Sequence, residues 1–234
     1  MQFSKNEIAQ MIDFSAVAGG VGEAEVEEMA AYAKKYQFIG AHVLPCYVKK
    51  LSELLAGEDA ILVGAGIGFP SGAHTTEVKV HEAKLALADG CRELDMVINV
   101  GALRSGKYQY CTDEIRAIVD VAAGKPIKVI LEVHHLTDDQ IKRGCQAVID
   151  SGAQYVKTAT GWAPSGATPE NIALIKSFVG DAVQVKAAGG IRTLAMLKEL
   201  YRLGARRFGI GTQSALKIMA EIEALPDELV IIEE

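Results

Sequence analysis

The chain has 234 residues, half of them hydrophobic, which is enough for one sizeable core, and we expect a single domain spanning residues 1–234. A formal net charge of −6 without a basic stripe argues against a nucleic-acid partner, and four widely spaced cysteines are typical of free thiols in the reducing cytoplasm. The N-terminus MQFSKNEIAQMIDF lacks a long apolar core, and no apolar run approaches the ~20 residues that cross a bilayer, so we expect neither a signal peptide nor a membrane partner.

Strands and helices are predicted to alternate along the whole chain. The predicted strands are MIDFS (11–15), IGAHVL (39–44), AILVGAGI (60–67), ELDMVIN (93–99), IKVILEV (127–133), YVKTAT (155–160), VQVKAA (183–188) and RFGIG (207–211). The helical patterns between them are EAEVEEMAAYAKKY, EVKVHEAKLALADG, CTDEIRAIVDVAAG, TDDQIKRGCQAVIDSG, TPENIALIKSFVG and TLAMLKELYRLG. Several helices follow Thr or Ser and several end at Gly, as capped helices do.

This alternation indicates a parallel sheet with helices on both faces. Eight strand–helix units in about 230 residues predict a closed (β/α)8 TIM barrel. An open doubly wound sheet is the alternative, but no GxGxxG follows the first predicted strand.

Barrel enzymes carry their chemistry at the C-terminal ends of the strands, which gives a filter for functional residues. The polar residues at or just after the predicted strand ends are Asp13, Ser15, His42, Asp95, Asn99, Glu132, His134, Lys157, Thr158, Thr160 and Lys186. Of these, Asp95, Lys157 and Lys186 lie on three separate strands, which a closed barrel directs at one cavity.

Two lysines interrupt strands that are otherwise apolar, Lys157 in QYVKTATGW and Lys186 in VQVKAAGG. Burying a lysine is costly unless its charge is paired or removed. An amine nucleophile must be unprotonated, whereas an ordinary lysine has a pKa near ~10.4, and burial or a neighbouring cation lowers that value. One lysine is then predicted to stay protonated while the other forms an imine with a carbonyl, and Asp95 would move protons between them. Alternatively, each lysine snorkels to the rim or pairs with a carboxylate.

Two glycine-containing loops follow the seventh and eighth predicted strands, AAGGIRT (187–193) and GIGTQSA (209–215). Many barrels hold a phosphate group at this position, because glycine lets backbone N–H groups approach an anion and the next helix N-terminus attracts it. Arg192 and Ser214 are candidate additional contacts. The alternative is that these glycines only make tight turns.

Five histidines raise the alternative of a zinc-dependent enzyme. His134 and His135 are adjacent at a predicted strand end and should point to opposite sides, which is poor geometry for a shared ion. We therefore expect no metal site.

Six segments together resemble the deoxyribose-phosphate aldolases, class I aldolases of the DeoC type: GFPSGAHTTEVK (68–79), ELDMVINVGALRSG (93–106), KVILE (128–132), GAQYVKTATG (152–161), KAAGGIRT (186–193) and IGTQSA (210–215). The resemblance implies a homodimeric (β/α)8 barrel that needs no cofactor and acts in deoxyribonucleotide catabolism. It also implies a small-molecule substrate, 2-deoxyribose 5-phosphate, cleaved reversibly to acetaldehyde and glyceraldehyde 3-phosphate.

By this resemblance Lys157 takes the Schiff-base position, Lys186 that of the second lysine, which keeps the nucleophile neutral, and Asp95 that of the proton-relay carboxylate. The predicted phosphate and substrate contacts are Asp13, Thr158, Gly161, Gly189, Gly190, Arg192, Gly211 and Ser214.

The chain departs from the family pattern around the expected pocket, at Phe14, Ser15, His42, His134, His135, Trp162 and Gln213. His42 stands where a small residue or cysteine is usual. These departures leave two alternatives open: the same chemistry on another phosphorylated sugar or donor, or a non-catalytic sugar-phosphate binding protein. Retention of Asp95, Lys157 and Lys186 argues against the second, since a binding protein needs no buried amine.

Overall fold

The computed structural model describes residues 1–233. The chain opens with a short strand, β1 (Gln2–Ser4), and a one-turn helix, α1 (Lys5–Ala9), before it enters the barrel. Ser4 caps this helix: its hydroxyl accepts a hydrogen bond from the Glu7 N–H, and the Glu7 carboxylate accepts one from the Ser4 N–H.

Eight parallel strands form a closed barrel, each paired with the next and the last with the first. They are β2 (Ile12–Ala16), β3 (Gly40–Val43), β4 (Leu62–Ile67), β5 (Glu93–Val97), β6 (Ile127–Ile130), β7 (Tyr155–Lys157), β8 (Gln184–Ala188) and β9 (Ala205–Gly211). All eight predicted strands are present, and the predicted (β/α)8 barrel is confirmed.

Helices cover the outside of the barrel and connect successive strands. They are α2 (Glu23–Tyr36), α3 (Val48–Leu54), α4 (Thr76–Ala88), α5 (Val100–Arg104), α6 (Tyr108–Ala122), α7 (Asp138–Ser151), α8 (Pro169–Val179), α9 (Leu194–Arg202) and α10 (Thr212–Glu223). Short 3₁₀ helices span Pro45–Tyr47, Val133–His135 and Pro226–Glu228.

The predicted caps explain where two of these helices begin. Thr137 and Gln140 form a reciprocal capping box at the start of α7, and Thr168 and Asn171 form another at the start of α8. Each box satisfies backbone N–H groups that have no partner within the helix, a contribution of about 1 kcal/mol per cap.

The two ends of the chain meet beneath the barrel. Strand β10 (Leu229–Ile231) pairs antiparallel with β1, with Phe3 opposite Val230. Residues 229–231 of the acidic C-terminal segment therefore pack on the first strand of the same chain.

Two further features concern the cysteines and the hydropathy of the helices. The four cysteines are free thiols, three of them buried. Among residues 1–233, every helix is too short or too polar to cross a membrane.

The core lies mainly between the strands and the surrounding helices, where Val, Ile, Leu and Ala predominate. Phe14 belongs to this layer and stacks on Phe38, with ring centroids 4.7 Å apart. The inside of the barrel is different, because charged side chains fill it where branched apolar residues are usual.

Candidate active site

Lys157 and Lys186 converge on a single carboxylate oxygen inside the barrel. The strand register places them opposite each other on β7 and β8. Lys157 Nζ lies 2.7 Å from Asp95 Oδ2, and Lys186 Nζ lies 2.6 Å from the same atom. Asp95 reaches them from β5, so three strands supply one hydrogen-bonded group, as the strand-end pattern predicts.

A second group of charged residues lies in contact with this one, deeper in the barrel. Asp13 Oδ2 is 2.5 Å from Lys186 Nζ, and Asp13 Oδ1 is 2.6 Å from an Arg207 nitrogen. Lys128 Nζ lies 2.6 Å from Glu93 Oε2 and 3.2 Å from Asp95 Oδ1. The two groups therefore form one continuous buried network.

The charges in this network do not balance if every group is ionised. Four cationic side chains, Lys128, Lys157, Lys186 and Arg207, face three carboxylates, Asp13, Glu93 and Asp95. Excess charge in a buried site is costly. One amine of the network is therefore expected to be neutral.

The pKa shifts indicate which groups stay charged. Burial disfavours the Asp95 carboxylate, but Lys128, Lys157 and Lys186 outweigh burial and hold its pKa well below the usual range. Burial likewise opposes the charge of Lys128, yet Asp13 and Asp95 raise the Lys128 pKa.

Lys186 behaves differently from Lys128. Burial is the largest effect on it and lowers its pKa to about 8, although Asp13 and Asp95 act in the opposite direction. Lys186 is fully buried, whereas Lys157 is 8 % exposed and lines the cavity above. Lys186, the amine with the lowered pKa, therefore lies beneath Lys157, the amine that a ligand in the cavity can reach. The sequence resemblance, in contrast, assigns the neutral state to Lys157.

The cavity above the network has a volume of about 350 Å³. Asp95 and Lys157 form part of its floor. Its rim contains six predicted phosphate-binding residues, from the loops after β7 and β8, the end of β9 and the first turn of α10, namely Gly161, Gly189, Gly190, Arg192, Gly211 and Ser214. The structure thus brings eight of the eleven predicted site residues to one cavity.

Backbone geometry requires glycine in the loop after β8. Gly189 and Gly190 have φ of 86° and 88°, in the left-handed region that other residues rarely adopt. Helix α10 begins directly after β9, and its first residues, including Ser214, lie on the same rim. A helix N-terminus and a glycine loop side by side favour anion binding.

Part of the cavity lining is apolar, and it includes Trp162, which follows the rim residue Gly161. The indole N–H of Trp162 donates to the Val17 carbonyl at 2.9 Å, which joins the loop after β7 to the loop after β2. The Phe69 ring meets the indole edge to face at 5.9 Å. Trp162 remains 50 % exposed, so it forms part of the cavity mouth.

Glu132 connects the end of β6 to the loop that follows Lys157. It is buried and has a φ of 56°, which is uncommon for a residue other than glycine. Its carboxylate accepts hydrogen bonds from the Thr160 hydroxyl and from the Thr160 N–H, the latter at 3.3 Å. This arrangement fixes the backbone between Lys157 and Trp162.

Three predicted site residues lie away from the cavity surface. Lys186 and Asp13 are fully buried in the charged network beneath the floor. Thr158 is also fully buried, and its hydroxyl donates to the Ala188 carbonyl at 2.8 Å. Thr158 therefore holds β7 to β8, in place of the predicted substrate contact.

The departures from the family pattern also fall in different places. Ser15, His42, Trp162 and Gln213 line the cavity, whereas Phe14 is buried in the outer core. His134 and His135 lie on a 3₁₀ helix after β6, with their rings in edge contact at 5.0 Å. His134 Nδ1 lies 2.7 Å from Ser165 Oγ. The expectation that His134 and His135 touch the pocket is corrected accordingly.

Three members of the network, Glu93, Lys128 and Arg207, were not among the predicted site residues. They lie in the N-terminal halves of their strands, whereas the filter selects polar residues at the C-terminal ends of the strands. The sequence signal was nevertheless present, because Lys128 interrupts the apolar run IKVIL just as Lys157 interrupts its own strand.

Asp13, His42 and Asp95 each place a ligand atom within 4.8 Å of the others, a spacing suited to a metal ion. The carboxylates of this group already contact Lys128, Lys186 and Arg207. A divalent cation would have to displace these side chains, so this set of donors fits ammonium and guanidinium groups better than a metal.

Comparisons with known proteins agree with this geometry. A sequence profile of the DeoC/LacD family aldolases matches residues 45–220. A deoxyribose-phosphate aldolase of Klebsiella pneumoniae subsp. pneumoniae is 43% identical over 97% of this chain and 92% of its own length. The deoxyribose-phosphate aldolase of Sinorhizobium medicae is 48% identical over 94% of this chain and 89% of its own length.

Solved structures give the same result. The deoxyribose-phosphate aldolase of Aeropyrum pernix superposes with a TM-score of 0.86 at 30% identity, covering 95% of this chain and 94% of its own. The aldolase QR15 superposes with a TM-score of 0.86 at 35% identity, covering 92% of this chain and 96% of its own. On these matches, the chain belongs to the DeoC/LacD family of aldolases.

Proposed function

We propose that this aldolase reversibly cleaves 2-deoxyribose 5-phosphate to acetaldehyde and glyceraldehyde 3-phosphate through an imine on Lys157. One observation carries the proposal: a cavity-lining amine shares a carboxylate oxygen with a second, fully buried amine, beneath a glycine-rich rim. The names of the relatives support the substrate.

The first step prepares the nucleophile. At a pH near 8 part of the Lys186 population is neutral, and its amine accepts the Lys157 proton by way of Asp95 Oδ2. The freed Lys157 amine attacks C1 of the open-chain sugar. The protonated Lys186 returns its proton, by way of Asp95, to the hydroxyl of the carbinolamine, which leaves as water and gives a protonated imine.

The imine draws electrons from the C2–C3 bond as that bond breaks. A water molecule held by Asp95 takes the C3 hydroxyl proton, so C3 becomes the aldehyde carbon of glyceraldehyde 3-phosphate. The remaining enamine takes the same proton at C2. Water then hydrolyses the imine, releases acetaldehyde and restores Lys157, so that atoms and protons balance over the cycle.

The rim supplies binding energy at the other end of the sugar. The residues proposed to hold the phosphate are those of the rim: Gly161, Gly189, Gly190, Arg192, Gly211 and Ser214. Backbone N–H groups and the α10 N-terminus attract the dianion, and Arg192 adds a cation. Asp13 is proposed to hold Lys186 in place.

The domain organisation, the oligomeric state and the cellular location are proposed as the sequence predicts them. We propose one domain over residues 1–234, because the barrel needs β2, which precedes the matched region, and β1 pairs with β10 near the other end. A homo-oligomer is expected; the Aeropyrum pernix relative is described as a tetramer, and a dimer remains our prediction for this chain. A cytoplasmic location and independence from cofactors remain predictions too.

A second candidate is the same chemistry with a different sugar or donor. The aromatic rings of Trp162 and Phe69 favour it, because they line the same cavity as Lys157. Comparing kcat/KM for 2-deoxyribose 5-phosphate with values for other phosphorylated sugars ranks the two candidates.

Turnover provides the direct test of the function. Release of glyceraldehyde 3-phosphate from 2-deoxyribose 5-phosphate is followed with a coupled dehydrogenase. The wild type should turn over and Lys157→Ala should not, while Lys142→Ala, which removes an exposed lysine of α7, should match the wild type. A wild type without activity on this sugar overturns the proposed substrate.

A further inference from the structure

His42 lies on the cavity floor in the middle of β3 and has no role in the steps above. Its side chain is nearly buried, at 3 % exposure for the residue. Nε2 lies 3.2 Å from Glu93 Oε1 and 3.4 Å from Asp95 Oδ1. Nδ1 lies 3.9 Å from Asp13 Oδ1, so carboxylates surround the ring.

The fold makes room for this ring through Gly64. Strand pairing places His42 opposite Gly64 on β4, and a Cβ atom added to Gly64 would collide with the imidazole. The ring thus occupies the space above the glycine and reaches past β4 to the carboxylates of β5. A smaller residue at position 42 would not reach them.

Two carboxylate oxygens of the residues around the ring, Asp95 Oδ1 and Asp13 Oδ2, have no well-directed hydrogen bond among residues 1–233, and Asp13 Oδ2 lies 2.5 Å from Lys186 Nζ. Within residues 1–233, neither nitrogen of His42 makes a well-directed hydrogen bond, and Asp95 Oδ1 lacks one as well. Buried polar atoms rarely stay without a partner. Glu93 Oε1 is nearer, but it already accepts from Arg207 Nη2 at 2.9 Å. Lys128 Nζ lies 3.2 Å from Asp95 Oδ1 but makes no well-directed hydrogen bond there. Asp95 Oδ1 is therefore the acceptor that a small rotation of the ring would satisfy.

The ring has one hydrogen to donate at neutral pH. Burial and the Lys186 charge lower the His42 pKa, although Asp13 and Asp95 act in the opposite direction. A neutral imidazole carries one N–H and one lone pair. The titratable groups next to the ring are Asp13 on β2 and Glu93 and Asp95 on β5. The cations that pair with these carboxylates are Lys128 on β6, Lys157 on β7, Lys186 on β8 and Arg207 on β9.

We infer that His42 is a positioning residue, whose neutral ring donates Nε2–H to Asp95 Oδ1 and keeps Oδ2 turned towards Lys157 and Lys186. The inference rests on the proposed function. A hydrogen bond to Oδ1 spreads the carboxylate charge and weakens its hold on the protons of the two amines. Without this donor, Asp95 holds those protons more tightly, and the free amine appears only at higher pH.

Two substitutions separate this role from space-filling. His42→Leu keeps much of the side-chain volume but removes the donor, whereas His42→Gln places an amide N–H near the original position. Activity is measured as kcat/KM for 2-deoxyribose 5-phosphate across the pH range. Imine formation is measured independently as the initial rate of borohydride-dependent labelling of Lys157.

kcat/KM and the labelling rate are both plotted against pH. His42→Leu should move the rising part of each profile about one pH unit higher, which is an approximately tenfold loss of each rate at a fixed pH below the plateau. His42→Gln should move both profiles back towards the wild type. An equal loss at every pH, or no loss, in the leucine variant overturns the inference. A wild type that is never labelled rejects the proposed function instead.

A measurement on the wild type covers the case in which the leucine variant does not fold. Nitrogen NMR of protein with labelled histidine reports which ring nitrogen carries the proton, and His42→Gln assigns the signal among the five histidines. The inference requires a neutral His42 protonated at Nε2 at about pH 8. A ring protonated only at Nδ1, or on both nitrogens, contradicts it.

Discussion

Lys157 and Lys186 lie opposite each other on β7 and β8, and their amines approach one oxygen of Asp95 to 2.7 and 2.6 Å. The two lysines differ in access, since the first lines the cavity and the second is fully buried. In the proposed mechanism the accessible Lys157 is therefore the nucleophile, and the buried Lys186 takes its proton.

The first prediction concerns Lys186→Met. The variant should lose about 10²-fold or more in kcat, because Lys157 loses its proton acceptor. It should also lose about 1–3 kcal/mol of stability, because Asp13 and Asp95 each lose a buried hydrogen-bond donor. Steady-state kinetics and urea unfolding measure the two effects. Lys186→Arg, which cannot give up its proton, should recover part of the stability without the activity, and recovery of both would reject the relay.

The second prediction concerns pH. Burial lowers the Lys186 pKa to about 8, so below that pH the amine is protonated and accepts no proton from Lys157. The logarithm of kcat/KM should therefore rise with a slope near one below pH 8 and level off above it. A profile that is flat from pH 6 to 9 in the wild type, at about constant stability, would remove Lys186 from the relay.

The third prediction tests the rim. Arg192→Ala should raise KM for 2-deoxyribose 5-phosphate by about 10- to 100-fold, the effect of losing one hydrogen bond to a charged group. The KM for unphosphorylated 2-deoxyribose should not change. Arg202→Ala, in the last turn of α9, removes a charge of the same sign away from the cavity and serves as the control. Equal effects on both sugars would place the phosphate elsewhere.

The fourth prediction concerns stability outside the active site. Lys79 on α4 is fully buried, and its Nζ lies 2.8 Å from the Val97 carbonyl and 2.9 Å from Glu114 Oε1. Lys79→Met leaves the Glu114 carboxylate unpaired and should lower the free energy of unfolding by about 3–5 kcal/mol.

The control is an exposed pair on α6, the helix that carries Glu114. Arg116 Nη1 lies 3.0 Å from Asp113 Oδ1, and Arg116→Ala should cost at most about 1 kcal/mol. Urea denaturation of the two variants gives the comparison. Losses of similar size would show that the buried pair contributes no more than the exposed one.

The sequence predicts the barrel well because its strands and helices have strong patterns. Helix α2 runs over the predicted residues 23–36, and the other predicted helices agree to within a few residues. The pairing of β1 with β10 was not predicted, because strands of three residues are too short to show alternation.

Alternation also explains which site residues were placed correctly. Successive side chains of a strand point to opposite faces, so Lys157 reaches the inside of the barrel and Thr158 does not. The same rule separates Asp13 from Phe14. Applied to IKVIL, it would have added Lys128 to the network. The hydrogen bond between Trp162 and Val17 joins residues far apart in the sequence, and no local pattern predicts it.

The central claim is that Lys157 forms the imine. The protein is incubated with 2-deoxyribose 5-phosphate, reduced with borohydride, digested and mapped by mass spectrometry, with Lys157→Ala and Lys142→Ala in parallel. We predict an adduct on Lys157 in the wild type and in Lys142→Ala, and none in Lys157→Ala. A folded wild type without an adduct on Lys157, with this sugar, with acetaldehyde and with dihydroxyacetone, would contradict the account.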